Sequence, residues 1–101
     1  MRLRKTARRD ANDKPLADLA RQLGVKLWAL DTPCDYLALW ASRLWAIEIK
    51  LPEGPKGGKD GRNLTTAQAL FRLDLNAQGL ELHVWRDEQD VLRFVSSRNV
   101  A

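Results

Sequence analysis

The segment from Pro33 to Lys50 constrains the fold of this chain more than any other stretch. It contains two consecutive runs, residues 35–40 and 44–50, whose residues are apolar on both faces for most of their length. Only Ala41, Ser42 and Arg43 separate the two runs. Strands that are apolar on both faces are typical of the centre of a sheet that is covered on two sides. The segment therefore predicts two central strands, and the short connection between them favours a hairpin.

The charged residues of this segment lie at its two ends. Asp35 opens the first run, and Glu48 and Lys50 close the second. Because residues i and i+2 of a strand point to the same face, Glu48 and Lys50 should project together, with Ile47 and Ile49 on the opposite face. In a hairpin, Asp35 should lie close to both. Two carboxylates and an ammonium at one sheet edge could hold a hard divalent cation and position a water molecule.

Length and charge restrict the class of protein. A chain of 101 residues is expected to form one small domain. The formal net charge of +4 favours a polyanionic partner, of which nucleic acid is the commonest. The single cysteine, Cys34, excludes an intramolecular disulfide and fits a reducing compartment. No run is apolar enough for a signal peptide or a membrane span, so we expect a cytoplasmic protein without a membrane partner.

The first quarter of the chain predicts an arm, a helix and a strand. Residues 1–12 are charged and lack periodicity, so we expect a flexible basic arm ahead of a domain over residues 13–101. An apolar stripe predicts a helix over 13–23, with Asp13 as its N-cap and Gly24 just beyond its end. Residues 25–30 alternate as a strand.

The second half of the chain begins with a loop and continues with three elements. The glycine- and proline-rich stretch 51–63 excludes regular structure. A capping box, Thr65 with Gln68, opens a helix over 65–78, whose buried side should be Leu70, Phe71 and Leu75. A strand over 80–86 and a short helix over about 87–95 complete the order α-β-β-β-α-β-α.

The less common side chains receive mostly structural interpretations. The four tryptophans all lie in predicted strands, so most should be in the core. Two tryptophans on one exposed face would instead indicate self-association. His83 lies in the middle of a strand and is expected to be structural. Cys34 has no nearby Cys or His partner, so neither a zinc site nor a cysteine protease is supported.

The spacing Asp35-x12-Glu48-x-Lys50, with a helix before the hairpin and an LTTAQ helix after it, resembles the PD-(D/E)XK nuclease superfamily. The VRR-NUC (virus-type replication-repair nuclease) group is the closest match, from Arg8 to about Val95. The resemblance implies an α/β fold of restriction-endonuclease type, with a central mixed sheet flanked by helices. Two departures stand out. Cys34 replaces the proline that usually precedes the metal-binding aspartate. The first helix offers Asp13 or Asp18 where the family commonly has a glutamate, so the glutamate is either substituted or absent.

The resemblance also implies roles for individual residues in the metal-dependent hydrolysis of DNA. Asp35, Glu48 and the backbone carbonyl of Ile49 would bind Mg²⁺, for which Mn²⁺ could substitute. Lys50 would orient the attacking water and counter the charge that develops on the phosphate. Gln68 would face the same site, although it can also simply close the capping box on Thr65.

Substrate and partners follow from the same resemblance and from the basic segments. Phosphate contacts are expected from the arm and from the loop, through Arg8, Arg9, Lys56, Lys59 and Arg62. The family implies a homodimer that cleaves Holliday-junction or other branched DNA in a bacterial host or as a phage-encoded protein. The alternative is a non-catalytic basic module that binds nucleic acid or a protein, including a nuclease fold that has lost its activity.

Overall fold

The computed structural model describes residues 12–52 and 64–99, with side chains as far as Ser97. These two ranges form an α/β domain with three helices and a four-stranded mixed sheet. In chain order the elements are α1 (Asp13–Gln22), β1 (Lys26–Ala29), β2 (Tyr36–Trp40), β3 (Arg43–Ile49), α2 (Thr66–Ala77), β4 (Leu82–Trp85) and α3 (Glu88–Asn99). The predicted order of elements is confirmed, and α3 extends beyond the predicted residue 95.

The strands lie in the spatial order β1-β2-β3-β4. The first two pairs are antiparallel, and β3 pairs with β4 in parallel. The prediction that β2 and β3 form the central hairpin is confirmed. A parallel pair needs a crossover connection, and the chain segment that contains α2 provides it.

The β2–β3 turn is one residue shorter than predicted. Arg43 pairs with Trp40 and belongs to β3, so the turn consists of Ala41 and Ser42 alone. Both have positive φ, 54° and 64°. Two-residue turns with positive φ at both positions match the right-handed twist of the flanking strands. This tight turn fixes the register that brings Asp35 opposite the end of β3.

One face of the sheet carries the core. Side chains of all four strands pack there against α1 and α3, through residues Leu16, Ala20, Leu27, Tyr36, Ala38, Ile47, Ile49, Trp85, Val91 and Phe94. The burial of these apolar side chains is the main source of stability for a domain of this size. Glu48 and Lys50 lie on the opposite face of the sheet, as their alternation with Ile47 and Ile49 requires.

The second face is only partly covered, so the expectation that the central strands are covered on both sides is wrong here. Trp28, Leu39 and Leu44 are 61%, 40% and 60% exposed. Within α2 the half-buried residues are chiefly Gln68, Phe71 and Leu75, whereas Leu70 is 57% exposed and not buried as predicted. We call the surface of Trp28, Leu39 and Leu44 the open face.

The start of α1 also differs from the prediction. Asn12 and not Asp13 occupies the N-cap position, so Asn12 is part of the folded domain and not of a free arm. Asp13 is buried in the first turn, where its Oδ1 accepts a hydrogen bond from the hydroxyl of Tyr36 at 2.7 Å. The remainder of the arm, residues 1–11, lies outside the described residues.

The tryptophans lie in the four strands, as predicted. Trp85 is in the core, and Trp40 and Trp45 pack against it. Trp28 alone among them is on the open face, so the tryptophans do not form the exposed pair that would have indicated self-association. In the described ranges, each helix is too short or too polar to cross a membrane.

Candidate active site

The candidate site lies where the β2–β3 hairpin ends. Asp35 directly precedes β2, Glu48 is the penultimate residue of β3, and Lys50 follows β3. Ile47 and Ile49 point into the core, so Glu48 and Lys50 share the other face, as predicted. The hairpin thus determines which side chains can meet at this end of the sheet.

Two hydrogen bonds connect Asp35 to the end of β3. The backbone N–H of Asp35 donates to Oε1 of Glu48 at 3.1 Å, and Oδ2 of Asp35 accepts from the backbone N–H of Ile49 at 2.8 Å. Side chains therefore continue the contact between the two strands where the regular backbone pairing has ended. The predicted proximity of the two acids is confirmed.

The second oxygen of Glu48 has two further partners. The ammonium Nζ of Lys50 lies 3.5 Å from Oε2, and Nε2 of Gln68 donates to the same oxygen at 2.7 Å. Gln68 also closes the capping box, because its Oε1 accepts from the backbone N–H of Thr65 at 2.9 Å. Gln68 therefore closes the capping box and faces the same site as Glu48, and α2 is anchored to the site through its first turn. Its hydrogen bond to water or phosphate stays a prediction.

The electrostatics of the site follow from its burial. Glu48 and Lys50 are only 2% and 6% exposed. Burial, followed by the proximity of Asp35, raises the pKa of Glu48 to about 7, although Lys50 opposes this shift. Burial, and then the charge of Glu48, also raises the pKa of the Cys34 thiol to about 11. Burial therefore favours the protonated thiol of Cys34 over the reactive thiolate at neutral pH.

The donor set fits a hard divalent cation that keeps part of its hydration shell. Asp35 and Glu48 supply carboxylate oxygens. The backbone N–H of Ile49 points toward Asp35. The carbonyl oxygen of Ile49 points to the same side, because the N–H and C=O groups of one strand residue face the same neighbouring strand. The described residues contain no group of three or more His, Cys, Asp or Glu that could hold a metal. Mg²⁺ commonly binds through one or two carboxylates, water and substrate phosphate, and so matches this set.

Each aspartate of the first helix has a partner of its own. Asp13 bonds to Tyr36, whose ring belongs to the core face. Asp18 lies on the outer surface of α1, where it pairs with Lys14 at 2.7 Å and with Arg21 at 3.8 Å. Substitution of the family's helix glutamate by either residue therefore stays a prediction.

Two residues near the site were missed from the sequence. The side chain of Asn12 donates to the carbonyl oxygens of Lys50 and Arg86 at 2.7 and 2.8 Å. The guanidinium of Arg86 donates to the carbonyl oxygen of Leu51 at 3.2 Å. An asparagine before a helix ordinarily indicates a cap, so no local signal predicted these contacts.

The remaining predicted residues are not at the site or cannot be placed. His83 packs edge-on against Trp45 and Phe94, which agrees with a structural role. The proposed phosphate-binding residues Arg8, Arg9, Lys56, Lys59 and Arg62 lie outside the described residues. A groove of about 780 Å³ runs between β4 and α3, but Asp35, Glu48 and Lys50 do not line it.

Comparisons with known proteins identify no relative. No protein-family model, curated protein or solved structure matches this chain. Its function must be inferred from the arrangement of its own side chains.

Proposed function

We propose that this chain is a metal-dependent endonuclease that hydrolyses phosphodiester bonds in DNA. It would have the restriction-endonuclease-like topology of the PD-(D/E)XK superfamily and be closest to the VRR-NUC group. One observation above all supports the proposal. Asp35, Glu48, Lys50 and Gln68 come from three separate segments of the chain and meet within hydrogen-bonding or ion-pair distance at one end of the sheet.

Each residue would have a distinct task in hydrolysis. Asp35, Glu48 and the carbonyl of Ile49 would hold Mg²⁺ or Mn²⁺. When bound, the cation would polarise the scissile phosphate and lower the pKa of a coordinated water. Lys50 would orient the attacking water and stabilise negative charge on the phosphate. Gln68 would hold Glu48 and contribute a hydrogen bond to water or phosphate.

The burial of Lys50 supports this assignment. A buried ammonium interacts with a phosphate much more strongly than one in bulk water, because the local dielectric constant is lower. Its position 3.5 Å from Glu48 also keeps the ammonium close to the cation-binding carboxylates. An ordinary surface ion pair would lack the burial that strengthens this interaction.

The proposed partners are branched duplex DNA and a second copy of the chain. In the register of the sheet, Leu39 lies opposite Leu44, and Trp28 is opposite Leu37, the residue two places before Leu39. The apolar residues of the open face are therefore neighbours in the sheet, on a face that they share with the exposed Lys26. An exposed apolar cluster of this kind is typical of an interaction site. A two-fold dimer would bury the same surface on both copies and present two active sites to the two strands of a junction.

Cleavage assays test the proposal. Labelled four-way junction, flap, linear duplex and single-stranded DNA would be incubated with Mg²⁺, Mn²⁺ or EDTA. We expect metal-dependent cutting, with preference for a branched substrate, and its loss in Asp35→Ala, Glu48→Ala and Lys50→Ala. Asp74→Ala, Glu88→Ala and Lys14→Ala are matched controls, because these side chains are exposed and lie outside both the site and the open face. Activity that survives in all three site variants would refute the assignment.

One observation favours a second function, that of a non-catalytic basic binding module. The described hydrogen bonds engage both oxygens of Glu48 and one oxygen of Asp35 within the protein. A purely structural network, or a nuclease fold that has lost its activity, would also satisfy these groups in this way. Tight DNA binding without cleavage in the presence of either metal ion would support this second function.

A further inference from the structure

A single side chain, that of Asn12, connects the ends of two strands below the proposed site. Its Nδ2 donates to the carbonyl oxygen of Lys50 at 2.7 Å and to that of Arg86 at 2.8 Å. An amide NH₂ group has two N–H donors, and both are used here. Because both partners are carbonyl oxygens, only the nitrogen of the amide can satisfy them.

The position of Asn12 in the chain makes this arrangement unusual. An asparagine at an N-cap ordinarily accepts a hydrogen bond from the first turn of its helix and stabilises that helix. Asn12 makes no such bond to α1. Its side chain instead donates to the backbone at the ends of β3 and β4.

Asn12 contacts the backbone of Lys50, the lysine of the candidate site. The N–H of Lys50 donates to the carbonyl of Trp85 at 3.0 Å, at the last point where the chain segments of β3 and β4 are bonded through backbone groups. Beyond it, Asn12 holds the carbonyl of Lys50 and Arg86 holds that of Leu51. The backbone of Arg86 is itself held, because its backbone N–H donates to Oδ2 of Asp90 at 2.8 Å.

We infer that Asn12 is a positioning residue for Lys50, an inference that rests on the proposed function. Lysine has a long side chain with many rotamers, so the place of its ammonium depends on a fixed backbone. Asn12 provides that fixed point and keeps Nζ of Lys50 beside Glu48. A displacement of about 1 Å in a reacting group can lower a rate by about 100-fold.

Asn12→Asp is the informative variant. Aspartate caps a helix as well as asparagine does, so α1 should keep its stability. Its carboxylate cannot donate, however, and would repel the two carbonyl oxygens. We expect kcat for junction cleavage to fall by about 10- to 100-fold, as is usual when a residue that orients a catalytic group is lost, with KM within about twofold. Val91→Ala, which creates a cavity in the core below α3, is the control for loss of stability.

A second measurement does not depend on cleavage. In Asn12→Asp, hydrogen exchange of the Lys50 amide should accelerate by about 10-fold or more, while amides of the β1–β2 ladder stay unchanged. Unchanged exchange at Lys50 together with an unchanged kcat would overturn the inference. So would an equal loss of kcat in Val91→Ala and Asn12→Asp. If the wild-type protein cleaves no substrate, the proposed function fails, and the exchange result alone decides whether Asn12 holds Lys50.

Discussion

At the scale of single residues, Glu48 is the group whose environment is least ordinary. It is an acid that is almost completely buried, and a second acid, Asp35, is hydrogen-bonded to it through the backbone. Lys50, Gln68 and the N–H of Asp35 stabilise its charge, yet its pKa is still raised to about 7. A strongly perturbed acid beside a specific charge partner is typical of functional sites.

The raised pKa predicts how stability depends on pH in the metal-free protein. An acid whose pKa is higher in the folded than in the unfolded state stabilises the folded state while it is protonated. For Glu48 this contribution is complete below the unfolded pKa of 4.5 and is lost as the pH rises to about 7. Between pH 4.5 and pH 8, the unfolding free energy of the wild type should therefore fall by about 2–3 kcal/mol relative to Glu48→Gln. Urea denaturation of both proteins across this range measures the difference. Parallel pH profiles would contradict the raised pKa.

A bound cation should reverse this pH effect. Divalent metals bind the deprotonated carboxylate, so binding of Mg²⁺ should release a proton and tighten as pH rises through 7. The melting temperature of the wild type should rise on adding Mg²⁺, and rise more at pH 8 than at pH 6. EDTA should abolish the increase, and Glu48→Gln should show none. An equal increase in Glu48→Gln would place the cation elsewhere.

At the scale of elements, the first turn of α2 combines stability with the site. The capping box between Thr65 and Gln68 satisfies backbone donors at the start of the helix. The amide nitrogen of Gln68 remains available for Glu48, to which it donates. One side chain thus both starts a helix and holds a carboxylate.

Two substitutions separate these roles of Gln68. Thr65→Ala removes one half of the capping box, and Gln68→Ala removes the other half together with the donor to Glu48. Both should destabilise the protein by about 1 kcal/mol in chemical denaturation. Only Gln68→Ala should also reduce cleavage, by about 10-fold. A similar loss of activity in Thr65→Ala would mean that cleavage depends on the stability of α2 and not on the hydrogen bond from Gln68 to Glu48.

At the scale of the whole molecule, the open face explains why a second copy is proposed. An exposed surface formed by Trp28, Leu39 and Leu44 is unfavourable in water, and a partner would remove its apolar area from the solvent. The candidate site lies near the opposite end of the β2–β3 hairpin from Leu44, so self-association through Leu44 would not cover it.

Self-association can be tested with one pair of variants. Leu44→Glu should convert the proposed dimer to a monomer in sedimentation analysis, because it would bury a charge at the two-fold interface. Leu92→Glu is the control, since Leu92 is also exposed but lies on α3. A wild-type protein that is monomeric at all concentrations would contradict the dimer.

The parts of the structure that sequence predicted are those fixed by local pattern. Alternation and one short turn suffice to bring Asp35, Glu48 and Lys50 together, and Thr65 and Gln68 carry the capping pattern in four residues. The role of Asn12 could not be predicted, because its partners lie 38 and 74 residues away in the chain. The exposure of Leu70 and Leu44 depends likewise on where α2 packs, which strand periodicity does not determine.

The most direct test of the central claim is the single-turnover cleavage rate of a four-way DNA junction in Mg²⁺, with wild type, Glu48→Gln and Glu88→Gln side by side. The two variants remove the same charge, one in the site and one on the exposed start of α3. We predict cleavage by the wild type and Glu88→Gln that EDTA abolishes, and a rate at least about 100-fold lower for Glu48→Gln. Equal rates in the two variants, or metal-independent cutting, would contradict a metal-dependent nuclease centred on Glu48.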